Sequence, residues 1–468
     1  MSFIPTEEQI EKQRQEVFGM QPDLHLEVAC KLNEGVIRHT ESEKNYFVEQ
    51  FVNGQQTATL FVPASGSGSR MFKFLYDFLE NPSEEDQSRV ERFINNLPQF
   101  AFFELLPFEL KEKIKRFDYN IDDLIKTIIS DEGLGLGTLP KGLIPFHRNG
   151  RFILNAFQEQ VLQGARFKSK TIGFHFTINE NFADEFSASL ASIETLTGQT
   201  YRVDNSVQDI TTNAIAFDLE QQVFKDEEQI VVTRPAGHGS LIKNLNSIKT
   251  DLIFIKNIDN VQHETISDES IFHQQYLGGL LLQFKKELKQ VSVSQNKSDA
   301  LKELNNRYQF LYNGLDILKL TDKEIDALIY RPIRVCGMVK NDGQPGGGPF
   351  WVNDKGRVSK QIVEKAQISK TGDQYKKMVQ SQYFNPVLMV VSPVSVDGEM
   401  FNLLDFVDEE KYFIVEKNHK GKTIRFREYP GLWNGGMANY ISLFVELPSS
   451  TFSPVKTALD LLNESHNR

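Results

Sequence analysis

The feature that most limits how this chain can fold is a short apolar run with an abrupt end. Ala58-Thr59-Leu60-Phe61-Val62-Pro63 leads directly into Ala64-Ser65-Gly66-Ser67-Gly68-Ser69. β-Branched and aromatic residues that stop at a Gly/Ser turn are what a buried parallel strand feeding a loop requires. Similar runs recur at Thr171-Ile172-Gly173-Phe174-His175-Phe176-Thr177-Ile178, at Leu252-Ile253-Phe254-Ile255 and at Ile333-Arg334-Val335-Cys336-Gly337-Met338-Val339. Shorter strands are expected near Tyr201 and at 214–217 and 230–233, and helices at 181–197 and 270–328. Residues 1–50, with Ile10, Val17 and Phe18 and then Leu24, Leu26, Val28, Ala29 and Leu32, read as helical. Strands alternating with helices argue an α/β protein, whose ligand crevice lies at the carboxyl ends of its strands.

Composition narrows the function classes. The 468 residues carry a net charge of −11, which argues against a general nucleic-acid binder and leaves room for a small anionic ligand held by a few lysines and backbone amides. No run approaches the roughly 20 apolar residues of a membrane span, and the N-terminus lacks the basic and apolar stretches of a signal peptide. The expected location is cytoplasmic. The two cysteines, Cys30 and Cys336, have no metal-ligand spacing and read as reduced, buried thiols.

Five segments carry candidate chemistry. In the turn Gly66-Ser67-Gly68-Ser69-Arg70, glycines permit close backbone approach, so that N–H groups can cradle phosphate while Arg70 adds a guanidinium. A plain tight turn is the competing reading. Lys141 stands in Pro140-Lys141-Gly142 after the glycine-rich stretch 133–137, and an ordinary surface lysine is its alternative. Arg234-Pro235-Ala236-Gly237-His238-Gly239-Ser240 follows a strand and opens a helix; its paired glycines would let backbone approach a flat base or a phosphate. Asp259 closes the strand at 252–255, where a lone carboxylate suits Mg²⁺ completed by phosphate oxygens; Asp-Asn is also ordinary turn material. Lys456 lies in Pro454-Val455-Lys456-Thr457, ahead of a terminal helix at 458–462.

The order of these segments resembles the UDP-sugar pyrophosphorylase family. Gln361-Ile362-Val363-Glu364 is similar to that family's segment near the sugar, and Asn434-Gly435-Gly436-Met437-Ala438-Asn439-Tyr440 to its Asn-rich loop. The resemblance runs from Leu60 to Leu462. In detail the chain resembles more closely a bacterial domain-of-unknown-function family, family 4301, for which Ser206-Val207-Gln208-Asp209 and Phe254-Ile255-Lys256-Asn257-Ile258-Asp259-Asn260-Val261 are typical. The resemblance implies a Rossmann-like, mixed and mostly parallel sheet of the nucleotide-diphospho-sugar transferase type, similar to the GT-A fold, with a helical insertion and N-terminal helices.

It also implies roles. Gly66, Ser67, Gly68 and Arg70 would take nucleotide phosphates, with Lys141 beside them and Lys456 reaching a phosphate. Gln208 and Gly237 would face the base, Gly239 would join the nucleotide contacts, and His238 and Asn257 would lie toward the phosphate–sugar end. Glu364 and Asn439 would approach the sugar, and Asp259 would hold Mg²⁺. The implied reaction joins a nucleoside triphosphate and a sugar-1-phosphate into a nucleotide-sugar and pyrophosphate. The alternatives are a nucleotide or nucleotide-sugar binder with reduced catalysis, or a GT-A-type glycosyltransferase. Neither nucleic acid nor membrane is an expected partner, and the sequence leaves the oligomeric state open.

The expected organisation is a helical segment over 1–55, an α/β domain over 56–75 and 131–445, a helical insertion over 76–130, and a C-terminal segment over 446–468. The insertion's apolar load (Phe93, Phe100, Phe102, Phe103, Leu105, Leu106, Phe108) requires it to pack on something. A wall or lid of the nucleotide cleft, hinged at 133–137, is the expectation, with Gly66–Arg70, Lys141, Gly237–Gly239, Asp259 and Lys456 converging on one crevice.

Overall fold

In the computed structural model the described residues are 4–20, 24–169, 171–341, 343, 346–368, 372–419 and 421–467. They divide into two units. The first comprises Met1–Thr59, Gln208–Ile255 and Gln274–Ser449, and the second Leu60–Val207, Lys256–His273 and Ser450–Arg468.

The first unit opens with a helix at Glu7–Phe18, started by a Thr6/Gln9 capping box. A second helix, Glu41–Val52, starts from Thr40 and Glu43 in the same way. Between them the helical expectation fails. Leu26–Ala29 is a strand paired antiparallel with Gly348–Asp354, and Lys31–Leu32 and Gly35–Ile37 are strands too. The alternation Leu24, Leu26, Val28 has a period of two, and its tertiary partner decides the outcome. Leu26 and Ala29 are buried in a cluster with Phe350, Val352, Val363 and Ile368.

The main strands of this unit lie in the order Lys31–Leu32, Gly35–Ile37, Ile441–Glu446, Ile333–Lys340, Leu388–Ser392 and Leu252–Lys256. Ile441–Glu446 runs parallel to both of its neighbours, and Leu388–Ser392 runs antiparallel to Ile333–Lys340, so the sheet is mixed as expected. The helix Asp268–Ser292 buries Tyr276, Leu277, Leu280, Leu281, Phe284 and Leu288 at helical spacing. Gly279 permits that packing, since a Cβ there would sit 1.7 Å from the Phe47 carbonyl oxygen. Cys30 and Cys336 are buried free thiols, and burial pushes Cys30 up to about 12 and Cys336 to about 11.

In the second unit Thr57–Pro63, Thr171–Ile178 and Val203–Val207 are neighbouring strands, the last two parallel. The helix Ala156–Ala165 buries a polar face, Gln158, Glu159, Gln160 and Gln163, beside Phe157 and Val161. The insertion folds as helices Lys73–Glu80, Glu84–Asn95, Phe108–Lys115 and Ile121–Ile129. Its core is aromatic: Phe100 lies 4.9 Å from Phe93 and 5.0 Å from Phe102, ring centre to ring centre. Phe102 meets Phe72, two residues from Arg70, and Glu84–Asn95 packs on the short 3-10 helix Ala458–Leu462 that follows Lys456. Leu105 and Phe108 depart from the expected burial, at 47% and 74% exposure.

The stretch 133–137 does not hang free as a hinge would. The amides of Gly133, Leu134, Gly135, Leu136 and Gly137 all donate to carbonyls between Thr127 and Ser130, so the segment caps the helix before it. No helix among the described residues is long and apolar enough to cross a membrane.

Candidate functional site

The candidate residues fall into two groups, one in each unit. In the second unit the strand Thr57–Pro63 delivers Ala64, whose amide donates to the Thr177 carbonyl, and the chain then turns through Gly66 and Gly68. This turn is laced to the Pro-Lys-Gly segment. The Lys141 amide donates to the Gly66 carbonyl at 3.0 Å and the Gly68 amide to the Leu139 carbonyl at 2.9 Å, with Ser67 bridging Pro140. Two of the turn's amides are thereby withdrawn from any phosphate, because Gly68 donates to Leu139 and Ser69 to Ser67 Oγ. Among the described residues no acceptor meets the amides of Gly66 and Ser67, and Arg70 is exposed with no carboxylate partner.

The glycines differ in role. A Cβ on Gly68 would come within 2.3 Å of Ile144 Cδ1, whereas one on Gly66 would meet nothing within 4 Å. Gly68 is small for packing, and Gly66 faces open space.

Lys141 Nζ reaches Asp259 Oδ2 at 2.8 Å, both side chains being largely buried. Asp259 sits in a tight turn after the strand Leu252–Lys256, and buried Gln160 holds that turn by donating to the carbonyls of Asn257 (3.0 Å) and Ile258 (3.2 Å). The Asp259 carbonyl accepts from the Val455 amide at 3.2 Å, and Asn260 bridges Pro454, which seats the Lys456 segment against the turn. Lys456 is exposed, and Asp460 holds its backbone by accepting from the amides of Lys456 and Thr457. Thus 66–70, 139–141, 257–260 and 454–456 form one hydrogen-bonded assembly.

Lys256, just before that turn, is buried and held down to about 8 by burial, with Glu159 partly opposing the shift. Among the described residues no group of three His, Cys, Asp or Glu side chains could hold a metal by itself. The donor set at Asp259 is one carboxylate with one oxygen on Lys141. It fits a hard cation completed by a ligand's phosphate oxygens, and does not fit a cation site made by protein alone.

In the first unit His238 is fixed on three sides. Its ring stacks on Trp433 at 4.0 Å and 14°, its Nδ1 accepts from the Leu432 amide at 2.9 Å, and its Nε2 lies 3.4 Å from Glu364 Oε1. Because Nδ1 accepts, the neutral ring carries its hydrogen on Nε2, toward Glu364. The glycines beside it leave room for the protein's own neighbours. A Cβ on Gly237 would meet Glu428 Oε2 at 2.5 Å, and one on Gly239 the Pro430 carbonyl oxygen at 2.2 Å. Burial raises the Glu428 carboxyl; Lys417 and His238 oppose the shift, and Glu364 adds to it.

Gln208 donates weakly to Thr212 Oγ1 at 3.4 Å, and its neighbour Asp209 pairs with Lys243 at 3.0 Å on the helix after His238. Asn439 is half-buried in the 431–440 loop that also carries Trp433. Sequence reasoning missed Trp433 and Glu428; Asn434, at the start of the Asn-rich segment, donates from its buried amide to the Ile362 carbonyl at 3.0 Å. A signal existed for Trp433, one of only two tryptophans in the chain and set beside a glycine pair.

These contrasts make a prediction. Gly237, at φ +75°, should not tolerate a side chain: Gly237→Ala is expected to lose about 1–3 kcal/mol. Gly66→Ala should melt within a degree or so of the parent, as its Cβ enters open space. Thermal unfolding of the two variants checks both statements, and equal melting would refute the distinction.

Strands, helices and a mixed sheet define an α/β protein. Within that class the chain belongs to the family described as a domain of unknown function (DUF4301), whose family model matches residues 4–467. No curated protein matches. Among solved structures the chain is similar to a UDP-glucose phosphorylase from Trypanosoma brucei, at 12% identity and a TM-score of 0.44, over 95% of this chain and 71% of that one.

Proposed function

We propose that this protein is a sugar-1-phosphate nucleotidyltransferase. The observation that supports this reading best is the continuous assembly Gly66–Lys141–Asp259–Val455, which gathers segments from four distant parts of the chain. Three cationic side chains, Arg70, Lys141 and Lys456, belong to it, together with the amides of Gly66 and Ser67. That combination suits phosphate oxygens, whose charge grows at the leaving pyrophosphate.

In the proposed reaction an oxygen of the sugar-1-phosphate attacks the α-phosphorus of a nucleoside triphosphate in line, and the bond to pyrophosphate breaks. The nucleophile is already anionic, so the side chains bind and orient and have no proton to take. Lys141 rests on Asp259, and an arriving phosphate competes for it, freeing the carboxylate. Asp259 would hold Mg²⁺, which when bound neutralises charge on the phosphates. In the first unit the same reading gives Gln208 and Gly237 to the base, Gly239 to the nucleotide, His238 to the phosphate–sugar end, and Glu364 and Asn439 to the sugar.

The test is a matrix of nucleoside triphosphates and sugar-1-phosphates with Mg²⁺, read as pyrophosphate release. At least one pair should give turnover that is lost in Arg70→Gln. Silence across the matrix, with tight nucleotide binding by calorimetry, would replace the enzyme with a binding protein.

A further inference from the structure

A cationic cavity lies wholly in the first unit and uses none of the residues assigned above. A cavity of about 510 Å³ opens between the chain at 310–331, the start of the strand Arg357–Val363 and the start of the strand Ile441–Glu446. Its volume is in the range that holds a small molecule. Phe310, Leu315 and Leu328 give it apolar walls, and Arg331, Arg357 and Lys360 line it.

The cations lack counter-charge. Arg331 is half-buried; its Nε donates to the Ala327 carbonyl at 2.9 Å, and no carboxylate among the described residues pairs with it or with Arg357. Burial, and then the nearby Arg357, lower the Arg331 guanidinium to about 10. Lys360 is buried, with Nζ donating to the Gly35 carbonyl at 2.7 Å above the rings of Trp351 and Phe444. Among the described residues Glu324 is the single acid lining the cavity. Its Oε2 is engaged as the cap of its own helix, accepting from the Thr321 amide at 2.8 Å and hydroxyl at 2.7 Å.

Gathering like charges at a half-buried surface is unfavourable unless an anion completes the set. Two guanidiniums match a dianion with several oxygens better than a single carboxylate. The apolar walls then require a hydrophobic body behind that charge. We propose that this cavity binds a phosphate monoester with a small apolar substituent, its phosphate on Arg331 and Arg357.

The wall of the cavity is also connected to His238. Ser442 lines it, and the Ser442 hydroxyl accepts from Arg334 Nε at 2.8 Å. Fully buried Arg334 then donates from Nη1 to the Trp433 carbonyl at 2.7 Å, and Trp433 stacks on His238. Trp433 is therefore the expected reporter of occupancy. Trp351, whose ring lies 5.4 Å from that of the cavity residue Tyr312, gives a second reporter.

Phenyl phosphate, titrated at constant ionic strength and followed by tryptophan fluorescence, tests the proposal. A saturable change is expected, with half-saturation raised at least tenfold in Arg357→Glu and in the Arg331→Gln/Arg357→Gln double variant. It should be unaltered in Arg70→Gln, which removes the other phosphate-directed arginine, and benzyl alcohol should bind at least tenfold more weakly. Arg357 is exposed, so Arg357→Glu is expected to melt like the parent and decides the matter even if the double variant fails to fold. No saturable signal, a signal indifferent to Arg357→Glu, or one abolished by Arg70→Gln would overturn the assignment.

Discussion

Asp259→Ala is expected to cut nucleotidyl transfer about a hundredfold or more, on the basis that the carboxylate supports several kcal/mol of transition-state charge neutralisation. The fold should survive. Asp259 caps a strand and contributes its backbone carbonyl, not its side chain, to the contact with Val455, so the C-terminal segment stays docked. Among the described residues the side chain's single partner is Lys141. Removing Asp259 leaves that lysine unpaired beside solvent, a modest cost of about 1 kcal/mol for a partly exposed pair. Activity and melting temperature should therefore separate, the first collapsing and the second barely moving. Asp259→Asn preserves size and polarity, and is expected to lose nearly as much activity. Near-normal turnover by either variant at saturating Mg²⁺ would remove Asp259 from the mechanism.

The largest effect on stability is expected from Glu159→Ala. Glu159 and His147 are buried in the second unit, with His147 Nδ1 at 2.7 Å from Glu159 Oε1 and His147 Nε2 at 2.9 Å from His466 Nδ1. Gln163 also donates to Glu159 at 3.1 Å, and Glu159 is the counter-charge that offsets the burial of Lys256. Cutting it away takes a partner from His147 and from Gln163 and the nearby counter-charge from Lys256. Breaking a buried pair by deleting one partner costs about 3–5 kcal/mol, enough to lower the melting temperature by roughly 6–20 °C for a unit of this size. A drop under about 2 °C would show that water or rearrangement replaces the carboxylate.

The same network makes the fold acid-labile. Burial, then the charge of His147, hold His466 down to about 3, below its ordinary value near 6.5. Between those two values the unfolded chain binds a proton that the folded one refuses. Stability is thus complete above about pH 6.5 and is lost progressively as the pH falls toward 3. Replacing His466 with leucine should flatten that acid slope, even as it sacrifices the hydrogen bond to His147.

The legible part of this protein was the part written locally. A β-branched run stopped by Gly-Ser-Gly can do little else, and residues 57–63 form the strand that the run requires. The insertion was legible for the same reason, since its apolar spacing is helical and its phenylalanines need a core. Residues 24–32 were not, because Leu26 and Ala29 take their conformation from a strand more than 300 residues away. The spacing of Gly237 and Gly239 marks a place where backbone comes close to something, and their tight packing on Glu428 and Pro430 is a contact the sequence does not disclose. The Lys141–Asp259 pair lay in the same gap: each residue stood out by itself, and their direct contact is a property of the fold.

The strap formed by His466 has a consequence for how the protein is made. Its partner His147 leaves the ribosome 319 residues earlier, and the seat of Val455 on Asp259 likewise joins late chain to early chain. During synthesis the second unit must therefore wait, with the polar face of Ala156–Ala165 and the carboxylate of Glu159 uncovered, until the last stretch emerges. Loops of that length close slowly and expose the unfinished core meanwhile. Nascent chains arrested before residue 450 should accordingly be sensitive to protease across 145–165, and released chains, with residues 450–466 free to dock, should be resistant.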